Sequence, residues 1–202
     1  LCQDIAGSCN RVVVKILNQG GCSPEAASAS SEVFSLLRRL RHPNLVHILD
    51  YGVMEESEKL YLVREWVRGR DLYSATELMP VEKIMSLMID LAASVQYLHT
   101  KGIIHGNLKP PNLFLSNEGG DVLRNADFGL RRDAGKIRQS TGGGMLPYTA
   151  PEILMGSEAN RQSDFYSLGI LLYQLLTRHL PFEDEDAGFL IQKHLQGSVD
   201  WR

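Results

Sequence analysis

Residues His105 to Asn112 read HGNLKPPN, and Asp127 to Gly129 read DFG. The first stretch is a loop flanked by short strand-like runs over Ile103 to Leu115. Upstream of it, Pro80 opens a long helical pattern. Its apolar positions Ile84, Leu87, Met88, Leu91, Val95 and Leu98 recur at helical period, and it stops at Lys101-Gly102, a basic last turn followed by glycine. Downstream, Arg131 to Gly144 is polar and glycine-rich without periodicity, as a surface loop is. A second helix is predicted over Arg161 to Thr177. Leu168, Ile170, Leu171, Leu172, Leu175 and Leu176 make it apolar on most sides, as a core helix is.

Further upstream, Arg11 to Leu17 reads RVVVKIL, a buried strand with one lysine, Lys15. Ser23-Pro24 starts a helix that reaches about Arg41, with Leu36, Leu37 and Leu40 on one face. His42-Pro43-Asn44 breaks it. Leu45 to Tyr51 and Leu60 to Val67 read as strands around the acidic loop EESEK. The first third is therefore strand, helix, strand, strand, and the rest mostly helical. That is an α+β chain in two parts.

Composition bounds the function. The chain has 202 residues, 44% hydrophobic and 22% charged, which is enough for a sizeable core. A net charge of -3 gives no strong positive field for nucleic acid or an anionic membrane. Cys2, Cys9 and Cys22 form no disulfide framework and read as free thiols of a reducing, cytoplasmic compartment. No apolar run approaches the ~18 residues of a membrane span.

VVVK at Val12 to Lys15, HGNLKPPN, DFG, and APE at Ala150 to Glu152 occur in a fixed order. Together they resemble the lysine strand, catalytic loop, metal-binding motif and activation-loop end of eukaryotic-type protein kinases. HPN at His42 to Asn44, LYLVREWV at Leu60 to Val67, and SDFYSLG at Ser163 to Gly169 extend the resemblance over essentially the whole chain. It implies a bilobal fold, with a mainly-β N-lobe over residues 1–67 and a mainly-α C-lobe over residues 68–202. It also implies ATP and Mg²⁺ as cofactors and a protein substrate or protein partner. The family's glycine-rich loop is expected before Leu1 and its last helices after Arg202, so both lobes are expected to be incomplete.

Roles follow from the resemblance, position by position. Lys15 would meet the α/β-phosphates; otherwise it is a solvent-facing strand lysine. Asp127 would bind Mg²⁺, a hard cation that takes carboxylate oxygen, unless it is only a turn residue before glycine. Asn112 would hold a second metal through its amide oxygen. Lys109, in LKP, resembles the serine/threonine-kinase lysine near the transferred phosphate. Glu65, Trp66 and Val67 resemble the hinge that pairs with adenine. Asp71 falls at a ribose-contacting position, or caps a helix over Leu72 to Leu78. Asp164 resembles the buried aspartate that braces the catalytic loop, and His105 a packed scaffold histidine.

Departures from the family pattern carry as much weight. The loop reads HGN where the family reads HRD. Asn107 therefore stands where an aspartate accepts the substrate hydroxyl proton, and a neutral amide is no useful base. Gly106 replaces the arginine that pairs with a phosphorylated activation loop, although Ser140 and Thr141 lie in that loop. Registering Leu37, Leu40 and His42 puts Val33 at the helix glutamate; Glu32 is one residue off, a turn of ~100°. Met145 stands where serine/threonine kinases carry threonine. Arg64 stands where a neutral side chain guards the adenine pocket. Three readings remain open: a pseudokinase, an active or slow serine/threonine kinase, and a truncated product.

Overall fold

Among the described residues, four strands build the first sheet, one of them the valine-rich Arg11–Leu17. The computed structural model describes residues 2–3, 11–17, 33–54, 59–129, 144–197 and 199. The chain divides into two units, Leu1–Arg68 and Gly69–Arg202. In the first unit, β1 (Cys2–Gln3), β2 (Arg11–Leu17), β3 (Ile48–Val53) and β4 (Leu60–Glu65) form an antiparallel sheet in the order β1-β2-β4-β3. Helical backbone over 33–39 forms α1. The expected start of that helix at Ser23-Pro24 lies outside the described residues.

Several strand and helix expectations need correction here. β2 is not a fully buried strand: Val12 is buried, but Val14 and Ile16 are 39% and 49% exposed. Three valines mark β propensity, which does not distinguish a two-sided from a half-exposed strand. On α1 the inward side chains are Phe34 and Leu37, while Leu36 is 40% exposed. The third strand begins at Ile48 rather than Leu45. Leu45 and Val46 are buried all the same, so their apolar character reflects packing and not pairing.

In the second unit, β5 (Gly69–Asp71), β6 (Leu113–Ser116) and β7 (Val122–Asn125) make a small antiparallel sheet in sequence order. No strand forms over 103–108. Helices α2 (Leu72–Ala75), α3 (Val81–Thr100), α4 (Pro151–Leu154), α5 (Arg161–Thr177) and α6 (Ala187–Gln196) supply the bulk. All six apolar positions expected of α3 are buried. All but Leu98 pack with Leu72, Leu113, Leu123 and Leu171 in one core, each fully buried leucine contributing roughly 1.5–3 kcal/mol. The helix stops where glycine permits a positive φ: Gly102 has φ 73, and the Ile103 N–H returns to the Leu98 carbonyl at 3.0 Å.

Helix α5 departs from its expectation of apolar faces. Ile170, Leu171 and Leu175 are buried, but so are Ser163, Asp164 and Ser167, and Leu176 is 40% exposed. Its N-terminal half is thus a polar scaffold inside the protein. A capping box starts it: Asn160 Oδ1 accepts from the N–H groups of Gln162 and Ser163, and Ser163 Oγ accepts from the Asn160 N–H at 2.7 Å. Asn160→Ala removes this and is expected to cost about 1 kcal/mol. That corresponds to a melting temperature roughly 2–4 °C lower. A melt unchanged by the substitution would show that the box is not what fixes the start of α5.

Candidate active site

Asp164 is the centre of the buried loop scaffold. The capping box sets it in the first turn of α5, where it is 1% exposed. Its Oδ2 accepts from the His105 N–H at 2.8 Å and from His99 Nε2 at 2.7 Å; its Oδ1 accepts from the Gly106 N–H at 2.9 Å. One carboxylate so fixes two successive peptide groups of the HGN loop. His105 is fully buried, and burial lowers its pKa below the usual imidazole value. Its tautomer follows from its neighbours. The Asn107 N–H donates to Nδ1 at 3.2 Å, so Nε2 carries the proton and donates to Asn125 Oδ1 at 2.7 Å. Asn125 Nδ2 donates to Ser94 Oγ, and Ser94 Oγ to the Leu91 carbonyl. A neutral histidine is therefore held from both ring nitrogens, as a scaffold residue would be.

The loop brings three side chains together around that scaffold. Asn107 is 2% exposed; its Nδ2 donates to the Asp127 carbonyl at 3.3 Å. A carbonyl only accepts, so this contact fixes which end of the amide is nitrogen. Asn107 Oδ1 is buried and accepts no hydrogen bond among the described residues. Asn112 Nδ2 donates to the Asn107 carbonyl at 2.7 Å, which leaves its Oδ1 as the oxygen it can offer elsewhere. The Asn112 carbonyl in turn accepts from the Ala126 N–H at 2.9 Å, next to Asp127. Asp127 has φ 60, an uncommon backbone for a non-glycine residue, and the Gly129 N–H donates to the His105 carbonyl at 3.1 Å. Phe128 is 1% exposed, edge-on to His105 at 6.2 Å. Lys109 has extended backbone and starts the short 3₁₀ turn Pro110–Asn112.

The first unit carries its own set. Lys15 lies opposite Leu62, and Val13 opposite Arg64, so Lys15 and Arg64 occupy diagonal positions on one sheet face. Arg64 is 9% exposed and its Nη1 donates to the Glu65 carbonyl at 3.2 Å. The Glu65 carboxylate accepts from the His47 N–H at 2.8 Å. Strand β4 ends there; Trp66 and Val67 are half-buried and outside regular structure. Asp71 belongs to the second unit, where its Oδ1 accepts from the Ser74 N–H at 3.0 Å and caps α2. The helix it caps runs to Ala75, shorter than the expected Leu78.

The protein kinase domain family matches residues 4–199. This chain belongs to that family. The kinase domain is 34% identical over 197 residues to the CBL-interacting serine/threonine-protein kinase 18 of Arabidopsis thaliana, covering 93% of this chain and 37% of that protein. It is 34% identical over 186 residues to the serine/threonine-protein kinase pkn2 of Myxococcus xanthus, covering 86% and 22%. It is 31% identical over 198 residues to the calcium/calmodulin-dependent protein kinase type 1 of Macrobrachium nipponense, covering 94% and 55%. The chain thus spans between about a fifth and just over half of the length of these relatives. Its small β-rich part and larger helical part are those of the α+β, bilobal kinase fold.

Kinase domains use ATP with a divalent metal, and the oxygen chemistry of the loop fits such a metal. Asp127 offers a carboxylate and Asn112 an amide oxygen, both hard donors. Among the described residues no group of three or more His, Cys, Asp and Glu is close enough to hold a metal by itself. Two protein oxygens completed by phosphate oxygens suit a cation carried with the nucleotide. Among the described residues no helix is long and apolar enough to cross a membrane.

Two features of the kinase domain's loop were not legible beforehand. Gly106 reads in sequence as a lost arginine, yet its φ is 66, which favours glycine whatever the partner chemistry. His99 gives no motif signal, but it is the third donor to Asp164. Ser140, Thr141 and Glu32 lie outside the described residues; Val33 is described and is 44% exposed.

Proposed function

We propose that this kinase domain binds Mg-ATP through Lys15, Asn112 and Asp127 and acts as a pseudokinase, a signalling or scaffold module for a protein partner. Glu65 and Val67 would meet adenine through backbone groups, and Asp71 the ribose. When bound, the metal supplies positive charge against the phosphate oxygens. The observation that carries the pseudokinase reading is Asn107. Its amide nitrogen is bonded to Asp127's carbonyl, so its Oδ1, buried in this structure, would be the end to meet a substrate hydroxyl. An amide oxygen can accept that hydrogen bond and orient the hydroxyl, but it cannot take the proton away at neutral pH.

One observation favours a second reading, an active or slow serine/threonine kinase. The scaffold that holds the catalytic loop is complete, from Asp164 through His105 to Asn125. Lys109 is then the nearest charged loop side chain to position the nucleophile. Both readings require nucleotide, so binding is tested first. Mg-ATP at 100 times its dissociation constant is expected to stabilise the domain by about 2.7 kcal/mol, a clear rise in melting temperature. The rise should vanish with EDTA and in Asp127→Ala. No rise at millimolar Mg-ATP in the folded domain rules out the nucleotide part of the proposal.

A further inference from the structure

Helix α1 and strand β3 line a cavity of about 500 Å³ in the first unit. Ser35, Arg38 and Arg39 stand three and four residues apart, on one face of the helix. Leu49 and Tyr51, two apart on the strand, supply another wall. Ser35 Oγ and Tyr51 OH join the walls at 2.9 Å, and Phe34 stacks on Tyr51 at 5.2 Å. Among the described residues no acidic side chain lines the cavity; Asp50, between Leu49 and Tyr51, is exposed and outside the lining.

The arginines around it are not equivalent. Arg41 Nη1 donates to the carbonyls of Arg38 at 2.7 Å and Leu40 at 2.8 Å, capping the end of α1. Arg38 and Arg39 are exposed, and among the described residues neither guanidinium makes a hydrogen bond or ion pair. The helix dipole favours cations in a last turn. It does not account for two arginines lining a cavity whose described residues include no carboxylate.

We infer that this cavity binds the phosphomonoester of a phosphorylated serine or threonine held in a peptide. Guanidinium forks match phosphate oxygens in paired hydrogen bonds, and a phosphomonoester brings close to two negative charges and three acceptors. The cavity is larger than a phosphate needs. Leu49 and the Tyr51 ring give the surplus an apolar wall, which suits the side chain beside a phosphoresidue. An inositol headgroup would set hydroxyls against that wall. The site is independent of nucleotide binding and of phosphate transfer, so its test reads neither.

The test is fluorescence anisotropy with a labelled nine-residue peptide of alanine and leucine around one phosphoserine, using the whole chain. Binding is expected for this peptide and not for its unphosphorylated form. Arg38→Gln with Arg39→Gln should weaken it roughly tenfold or more. Arg38→Lys with Arg39→Lys keeps the charge, loses the fork, and should weaken it several-fold. Arg68→Gln with Arg70→Gln removes the same charge elsewhere and should leave it unchanged. Equal binding of the unphosphorylated peptide, an equal loss in the Arg68/Arg70 variant, or no binding at all overturns the inference. So does tighter competition by inositol 1,4-bisphosphate than by O-phosphoserine, which would point to a lipid surface.

Discussion

Asn107→Asp is expected to raise kcat/KM for phosphate transfer to a serine/threonine peptide by ~10²-fold or more. The change adds a base where the substrate hydroxyl proton must go and substitutes neither Asn112 nor Asp127. It also has a structural cost. Asn107 Nδ2 now donates to the Asp127 carbonyl at 3.3 Å, and a carboxylate oxygen in its place would face another acceptor. That bond is lost whichever way the side chain turns, at about 1 kcal/mol of stability. A gain in rate with a small fall in melting temperature is therefore the signature of a restored base. If the single change does nothing, Val33 and Met145 become the next suspects. Val33→Glu and Met145→Thr are then added, with Met145 the costlier because it is 9% exposed. High wild-type activity indifferent to Asn107→Asp would overturn the pseudokinase reading.

The parts of the fold legible in sequence are those with a repeated signal. Helix α3 spans five turns of consistent period, and all six of its expected core positions are buried. Helix α5 was legible in extent but not in burial. Ser163, Asp164 and Ser167 are inside because they hydrogen-bond the loop and their neighbours, which periodicity does not encode. Short strands were the weakest. β5 is three residues, and its pairing with β6 depends on chain returning from far away in sequence. The site followed the same division. Motif order pointed to Asn107, Asn112 and Asp127, and the structure brings these three together. The αL backbone of Gly106, the His105 tautomer and the His99 bond are properties of the assembled loop, so no local pattern announces them.

Asp164→Ala is expected to cost on the order of 3–5 kcal/mol in a urea unfolding experiment. It removes an acceptor from the His105 and Gly106 N–H groups and from His99 at once. Each buried donor left without a partner costs about 1–3 kcal/mol, and water has little access at 1% exposure. Asp164→Asn separates charge from geometry. Its oxygen can serve the two donors that share Oδ2, but its NH₂ group then faces the Gly106 N–H. Turned the other way, it faces the His105 N–H and His99. The first pose strands one donor and the second strands two, so the first is favoured and the expected loss is smaller, about 1–3 kcal/mol. The ordering wild type, Asn, Ala should recur in the Mg-ATP thermal shift, because Asn107 is reached from Asp164 through only two residues of the loop. A loss below 1 kcal/mol for Asp164→Ala would mean that the loop is held by its own turns and by the His105–Asn125 bond. Asp164 would then be an ordinary acid of the first helical turn.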